Sequence, residues 1–396
     1  MKTDEPNLGM VEPSASPDKG ANMADYLIIS HQSALLAHRA VGTGLLDGPL
    51  SNHSTPRDTH TSRLADYLES GNVTTLLEAG PLHTLALSQT ARHSSKQCIS
   101  HLCEAALPQG SLQSIGNHVL VSSPSLTLIQ ISQACARNAK EALPWCEGLI
   151  DEFGDFGITI ALAELCGELC GYYSIAPDGK GTLKRHRRLV KREDLLAYIA
   201  KTRRMRGAPL AARAARMAPS LSASPRETAV FLVMTAPWPI GYGFEAPATN
   251  EPIFLKGQSD ESDDDCTAIR FSDYRWMSKT LRSGRKRRCI TLEYDSDEFH
   301  TADAGLTDRQ LKDQGERRDA IEAAGNGYLR VTTDHTRDFE QFDFKMHQLA
   351  KLLRVDLPPR SSDEKQQAKA FQEALFGTTR FKLVGNLMIP VPNHSV

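Results

Sequence analysis

The stretch ITLEYDSDEFH, residues 290–300, runs from a β-prone lead-in of Ile290, Thr291 and Leu292 into Glu293, Asp295, Asp297, Glu298 and His300. Carboxylates are hard oxygen ligands, and two or three of them suffice to hold Mg²⁺ beside a scissile phosphate. Glu293 and Asp295 are two residues apart, so on a strand both point to one face. Asp273, in FSDYRW, lies on the strand-like segment before them. Two neighbouring strands would bring it to the same ion. A solvent-facing strand end has the same residue types, so composition alone leaves both readings open. Asp297 and Glu298 read as surface acids.

Three β-like segments carry this constellation: PIFLKG (252–257), TAIRFSDYRW (267–276) and CITLEYD (289–295). Two hydrophilic runs interrupt them, SDESDDD (259–265) as a surface loop and RSGRKRR (282–288) as a turn between strands. The turn holds Arg285, Lys286, Arg287 and Arg288 and would lie near the acids, where it could grip a phosphate backbone. A helix precedes the block: SPRETAVFLVM (224–234) has Ser224 as N-cap, Pro225 at the first helical position and Glu227 three residues on, a capping box. After it the pattern predicts a long helix over about 308–324, the strand GYLRVTT (327–333) and a helix through 339–353. The order helix–strand–strand–strand–helix–strand–helix predicts a small mixed sheet flanked by helices.

The chain has 396 residues, with 40% hydrophobic and 24% charged content, enough for two or three globular units. Its net charge of −2 excludes a general polycation, so contact with nucleic acid must come from a local patch. None of the eight cysteines forms a C-x-x-C pair or zinc-ribbon spacing, and they read as buried free thiols in a reducing cytoplasm. The most apolar run, 157–176, carries Glu164 and Glu168 at its middle, which argues against a bilayer span. Residues 1–24 read as a polar flexible tail.

The local patch lies between Lys184 and Arg216, where twelve Lys/Arg residues, among them Arg203, Arg204 and Arg206, face only Glu193 and Asp194. Leu195, Leu196, Ile199 and Ala200 predict an apolar stripe that leaves the arginines on the exposed face. Such a field attracts phosphate without reading sequence; a solvated helix face is the other reading. Upstream, Ser30 caps a helix over 30–41, HVLVSSP (118–124) reads as a strand, and a helix follows it, capped by Ser125. Further helices are predicted over 158–169 and across the basic segment. His31 and His38, seven apart, read as capping or surface residues.

Five pieces in order resemble the restriction-endonuclease-like PD-(D/E)-x-K superfamily, in its branch related to very-short-patch repair endonucleases. They are the SPRET helix, FSDYRW, LEYD with His300, DQGERRDAIEAAG and YLRVTT, and the likeness covers about 219–355. It implies an α/β fold with a restriction-endonuclease-like mixed sheet; the patterns upstream predict a mostly helical N-terminal region (25–218) before it, and 356–396 reads as a C-terminal extension. The likeness also implies Mg²⁺- or Mn²⁺-dependent hydrolysis of DNA, with Asp273 and Glu293 as ligands and Asp295 as a third acid. His300 would be the general base or a phosphate contact, Glu227 an added acid from the helix, and Arg317 a phosphate contact. Glu227 also reads as a cap partner of Ser224, and Arg317 as a partner of Asp313. Asp295 stands where the superfamily motif has lysine, and Ser296 where glycine is usual. ISHQSALLAHRA, HVLVSSPSLTLIQISQA and REDLLAYI resemble, more weakly, the AbiEi antitoxin-type proteins. That likeness implies a bacterial, cytoplasmic DNA-binding regulator as the alternative to an active nuclease.

Overall fold

In the computed structural model, the described residues are 26–42, 50–56, 81–116, 118–176, 182–185, 187–255, 268–277, 289–295, 318–319, 321–322, 326–376, 380–384 and 387–391. The fold is α/β, with three sheets among these residues. His300, Arg317, Arg285, Lys286, Arg287 and Arg288 lie outside them, as do Asp297, Glu298 and most of the helix expected over 308–324.

The front region holds β1 (Leu27–Ile29), α1 (His31–Gly42), β2 (Ser51–His53), β3 (Leu82–Ala86), β4 (Cys98–Leu102), β5 (Leu112–Gly116) and β6 (Val119–Ser122). The six strands form one sheet in the order β2-β5-β6-β1-β3-β4. Period-two alternation divides β1 between two cores. Leu27 and Ile29 pack with Ala34, Ala37 and Ala40 of α1, while Ile28 faces the large core on the other side. The sheet thus has α1 on one face and longer helices on the other.

Those helices are α2 (Pro124–Ala142) and α3 (Glu147–Cys170), each bent where the backbone leaves helical geometry, at Asn138 and Gly154. The cap of α2 is Ser123, whose hydroxyl accepts the Leu126 N–H, and not the expected Ser125. Pro124 explains the shift, because it occupies the first helical turn where no N–H is needed. α3 is the run that looked most membrane-like, and among the described residues no helix is long and apolar enough to cross a membrane. The two carboxylates in its apolar half are covered instead, Glu164 half-buried and Glu168 buried. Glu168 is gripped by Arg39 through Nε–H to Oε1 at 2.9 Å and Nη2–H to Oε2 at 2.7 Å. Arg185, buried nearby, donates to the carbonyls of Glu168 and Gly171.

β7 (Tyr173–Ile175) and β8 (Thr182–Lys184) follow, then α4 (Arg192–Lys201), α5 (Ala208–Met217) and α6 (Pro225–Thr235). α3 and α6 approach closely because Gly167 has no side chain: a Cβ there would sit 2.6 Å from Thr228 Cγ2. The second sheet contains β9 (Ala248–Leu255), β10 (Ala268–Met277), β11 (Cys289–Asp295) and β12 (Gly327–Thr332), in the order β12-β11-β10-β9. β9, β10 and β11 run antiparallel, and β12 runs parallel to β11.

α7 (Thr333–Arg337), α8 (Phe339–Leu353) and α9 (Ser362–Phe376) complete the helices, with β13 (Arg380–Val384) and β14 (Leu387–Val391) last. The C-terminal extension is woven into the rest. β14 pairs with β8 to make a third sheet, β13-β14-β8-β7. Phe371 of α9 packs against Phe153 and Phe156 of α3 at 5.4 and 5.8 Å between ring centres. One buried cluster runs from Ile28 to Phe376.

Candidate functional site

β10 alternates in depth. Ser272, Tyr274 and Trp276 are buried on the face toward α6, where the Tyr274 hydroxyl donates to the Glu227 carbonyl at 2.7 Å. Phe271, Asp273, Arg275 and Met277 point the other way, and the residues at both ends of that row are exposed. The antiparallel register runs from Met277 opposite Cys289 to Tyr274 opposite Leu292, and Asp273 and Glu293 are the next residues on their strands. Asp273 is half-buried and reaches across to β11, where its Oδ2 accepts the Tyr294 N–H at 2.8 Å. Glu293 is 4% exposed.

Parallel pairing of β11 with β12 aligns Glu293 with Arg330 and Asp295 with Thr332. Asp295 forms an ion pair with Arg330 Nε. Of the three acids, then, Asp273 bonds the β11 backbone at Tyr294, Glu293 is buried beside it in sequence, and Asp295 leans toward β12. The three do not close into a cluster: among the described residues, the only group of three His, Cys, Asp or Glu with ligand atoms within 4.8 Å of one another lies elsewhere. Two carboxylates on neighbouring strands are the ligand type of a hard divalent cation that keeps several waters and takes its remaining ligands from a phosphate.

Glu227 sits at the start of α6 with its carboxylate taken up there. It accepts the Ala223 N–H at 2.8 Å, the Ser224 hydroxyl at 3.0 Å and Asn250 Nδ2 at 3.1 Å, while the Ser224 hydroxyl accepts the Glu227 N–H at 3.2 Å. The cap reading of its sequence pattern accounts for the bonds within 223–227, and Asn250 of β9 adds one from across the fold. Burial raises its pKa, and the donors from Ala223, Asn250 and Ser224 oppose that rise.

Arg203, Arg204 and Arg206 are exposed, in the turn between α4 and α5. Of the twelve cations between Lys184 and Arg216, nine are exposed; Arg188 and Arg192 are half-buried, and Arg185 is buried as described. Arg192 donates to the Ala218 carbonyl at 2.9 Å, so it serves the fold. The apolar stripe of α4 contains Leu195, Tyr198 and Ile199, with Leu196 half-buried; the expected Ala200 is exposed.

The three-ligand group consists of His31, His83 and His101, at the start of α1 and on β3 and β4. Reading His31 as a cap or surface residue was wrong: it is 5% exposed and stacks on His101 at 3.7 Å between ring centres. The three residues are far apart in sequence and form no spacing motif. The available signal was one histidine in each of three short apolar runs, LIISH, LHTLA and CISHL.

The chain matches no protein-family model, no curated protein and no solved structure.

Proposed function

We propose that the chain is a metal-dependent DNA endonuclease of the bacterial cytoplasm, built on a restriction-endonuclease-like sheet. One observation supports the reading: Asp273 and Glu293 each follow the last paired position of the neighbouring strands β10 and β11, with Asp295 two residues further along β11. The element order from α6 through β12 to α8 supports it, since the resemblance of residues 219–355 implies that order. When bound, Mg²⁺ or Mn²⁺ would neutralise phosphate charge and lower the pKa of a water. Asp273 and Glu293 would hold the ion, and Arg330 would keep Asp295 oriented beside them. His300 would accept a proton, and Arg317 with the basic turn at 285–288 would contact phosphate.

Incubating supercoiled plasmid and mismatched duplexes with the full chain and Mg²⁺ or Mn²⁺ tests this. Nicking or cleavage is expected, with loss of activity in the Asp273→Ala, Glu293→Ala double variant. Cleavage that survives in that variant rejects the assignment.

The exposed cations of 184–216 favour a second reading, a non-catalytic DNA-binding regulator of the antitoxin type. It predicts duplex binding that weakens steeply with salt, needs no metal and leaves the DNA uncut.

A further inference from the structure

Two strands and one helix start converge on a second place where a cation fits, distant in sequence from the acids. β3 and β4 run parallel with Leu85 paired to His101, so His83 and His101 lie one alternation apart on the same sheet face. His83 Nδ1 and His101 Nε2 stand 2.9 Å apart. His31 completes the group from the first residue of α1.

His31 has φ of +51°, a left-handed backbone uncommon for a residue with a side chain. Such geometry persists only where the surroundings fix it, and it concentrates at sites of function. Here the surroundings do fix it. The His31 N–H donates to Gln130 Oε1 at 3.1 Å, the Ser30 N–H to the His83 carbonyl at 2.8 Å, and the His83 N–H to Ser33 Oγ at 2.9 Å. His31 Nδ1 lies 3.0 Å from the Ser30 hydroxyl, which leaves Nε2 as its ligand atom. An orienting hydrogen bond on the second ring nitrogen is the usual companion of a metal-bound histidine.

The group is not sealed in. It forms part of the wall of a cavity of about 320 Å³, which is also lined by Arg92, Arg137 and Glu141. Burial holds all three imidazoles below their ordinary pKa, and mutual repulsion and the arginines add to this for His31 and His101.

We propose that His31, His83 and His101 bind one transition-metal ion of the Zn²⁺ class, with the fourth coordination position open to the cavity. Three neutral nitrogen donors with no carboxylate select against Mg²⁺ and for Zn²⁺ and its neighbours. Zinc–nitrogen bonds of about 2.0–2.1 Å in a tetrahedral set separate the ligand atoms by about 3.3 Å. The His83–His101 pair needs to open by only a few tenths of an ångström, and the third ligand is already within reach. Three protein ligands and an open position are the pattern of catalytic zinc sites rather than structural ones. With Arg92 and Arg137 outnumbering the one carboxylate, Glu141, in the same wall, the open position suits an anion: hydroxide, a carboxylate or a phosphate oxygen.

The test uses the full chain, stripped of metal with a chelator, and titrates Zn²⁺ by calorimetry and Co²⁺ by visible absorption. One equivalent of each is expected, with the intense d–d bands of four- or five-coordinate Co²⁺. His83→Gln and His101→Gln should each weaken binding by about 100-fold or more, while His347→Gln, on α8, leaves it unchanged. No saturable binding, or binding undiminished in the first two variants, overturns the proposal. If either variant loses its far-UV circular dichroism, imidazole ¹⁵N shifts of the native chain decide. Zn²⁺-induced shifts in three histidines support the site, and unchanged spectra reject it.

Discussion

Arg39 and Glu168 show how much of this fold depends on single buried charges. Each side chain is under a tenth exposed, and their two hydrogen bonds form a bidentate fork. Removing the cation strands a carboxylate in the core. Arg39→Met is expected to cost about 3–5 kcal/mol by urea unfolding, well beyond the loss of an exposed ion pair. Arg360 is a comparable case. It stacks on Trp238 and Tyr242 at 4.1 and 4.6 Å and donates to the Pro239 and Gly241 carbonyls and to Asp343. Arg360→Ala should therefore lower the melting temperature more than Lys365→Ala, whose partner Glu340 is exposed.

One buried and one half-buried titrating group give opposite pH responses. Burial lowers His38 from 6.5 to about 4, although its ring N–H has a partner in the Ser122 carbonyl at 2.8 Å. Below pH 6.5 the unfolded chain takes up a proton that the native state refuses, so stability falls as pH drops toward 4. Glu164 goes the other way, with burial raising its pKa from 4.5 to about 7. Between those values the unfolded chain ionises first, so stability contributed by the protonated form is lost as pH rises. Glu164→Gln, a neutral isostere, should be more stable than the native chain at pH 7.5, by about 2 kcal/mol after allowing for the solvent that reaches a half-buried carboxyl, and indistinguishable from it below pH 4.5. An equal difference at both pH values would contradict the assignment.

At the scale of elements, the sequence was most legible where periodicity and caps agree. The helix at 339–353 and the strand at 289–295 have the bounds expected of them, and Ser224-Pro225 opens α6 as its pattern demands. The sheet of the front region was barely visible. All six strands have only three to five residues, too few alternations to register, and only the one at 119–122 was expected, from its unbroken Val-Leu-Val run before a turn. The same brevity hid the histidines, since the site is made by pairing across strands rather than by spacing along one. Asp273 and Glu293 were legible because both lie on longer strands whose alternation fixes the face. Close packing of elements is also testable. Gly167→Ala drives a methyl into Thr228 between α3 and α6, with an expected cost of about 1–3 kcal/mol. Adding Thr228→Ser, which removes the nearest methyl, should recover part of it.

At the scale of the whole molecule, the front region, the acid-bearing sheet and the C-terminal extension share one buried core. Truncation after residue 355 removes Arg360, Phe371 and the strand partner of β8, and it should yield a chain that unfolds at lower urea or aggregates, not a free-standing nuclease domain. The exposed cations of 184–216 give the chain a local positive field despite its overall charge of −2, so any duplex affinity should fall linearly on a double-logarithmic salt plot. The proposed function requires that one divalent ion bridge Asp273 and Glu293. Thermal unfolding with and without Mn²⁺, in the native chain and in the Asp273→Ala, Glu293→Ala variant, tests it most directly, with His83→Gln present in both to silence the histidine group. A Mn²⁺-dependent rise in melting temperature that vanishes in the double variant is the predicted result. An equal rise in both, or none in either, would contradict it.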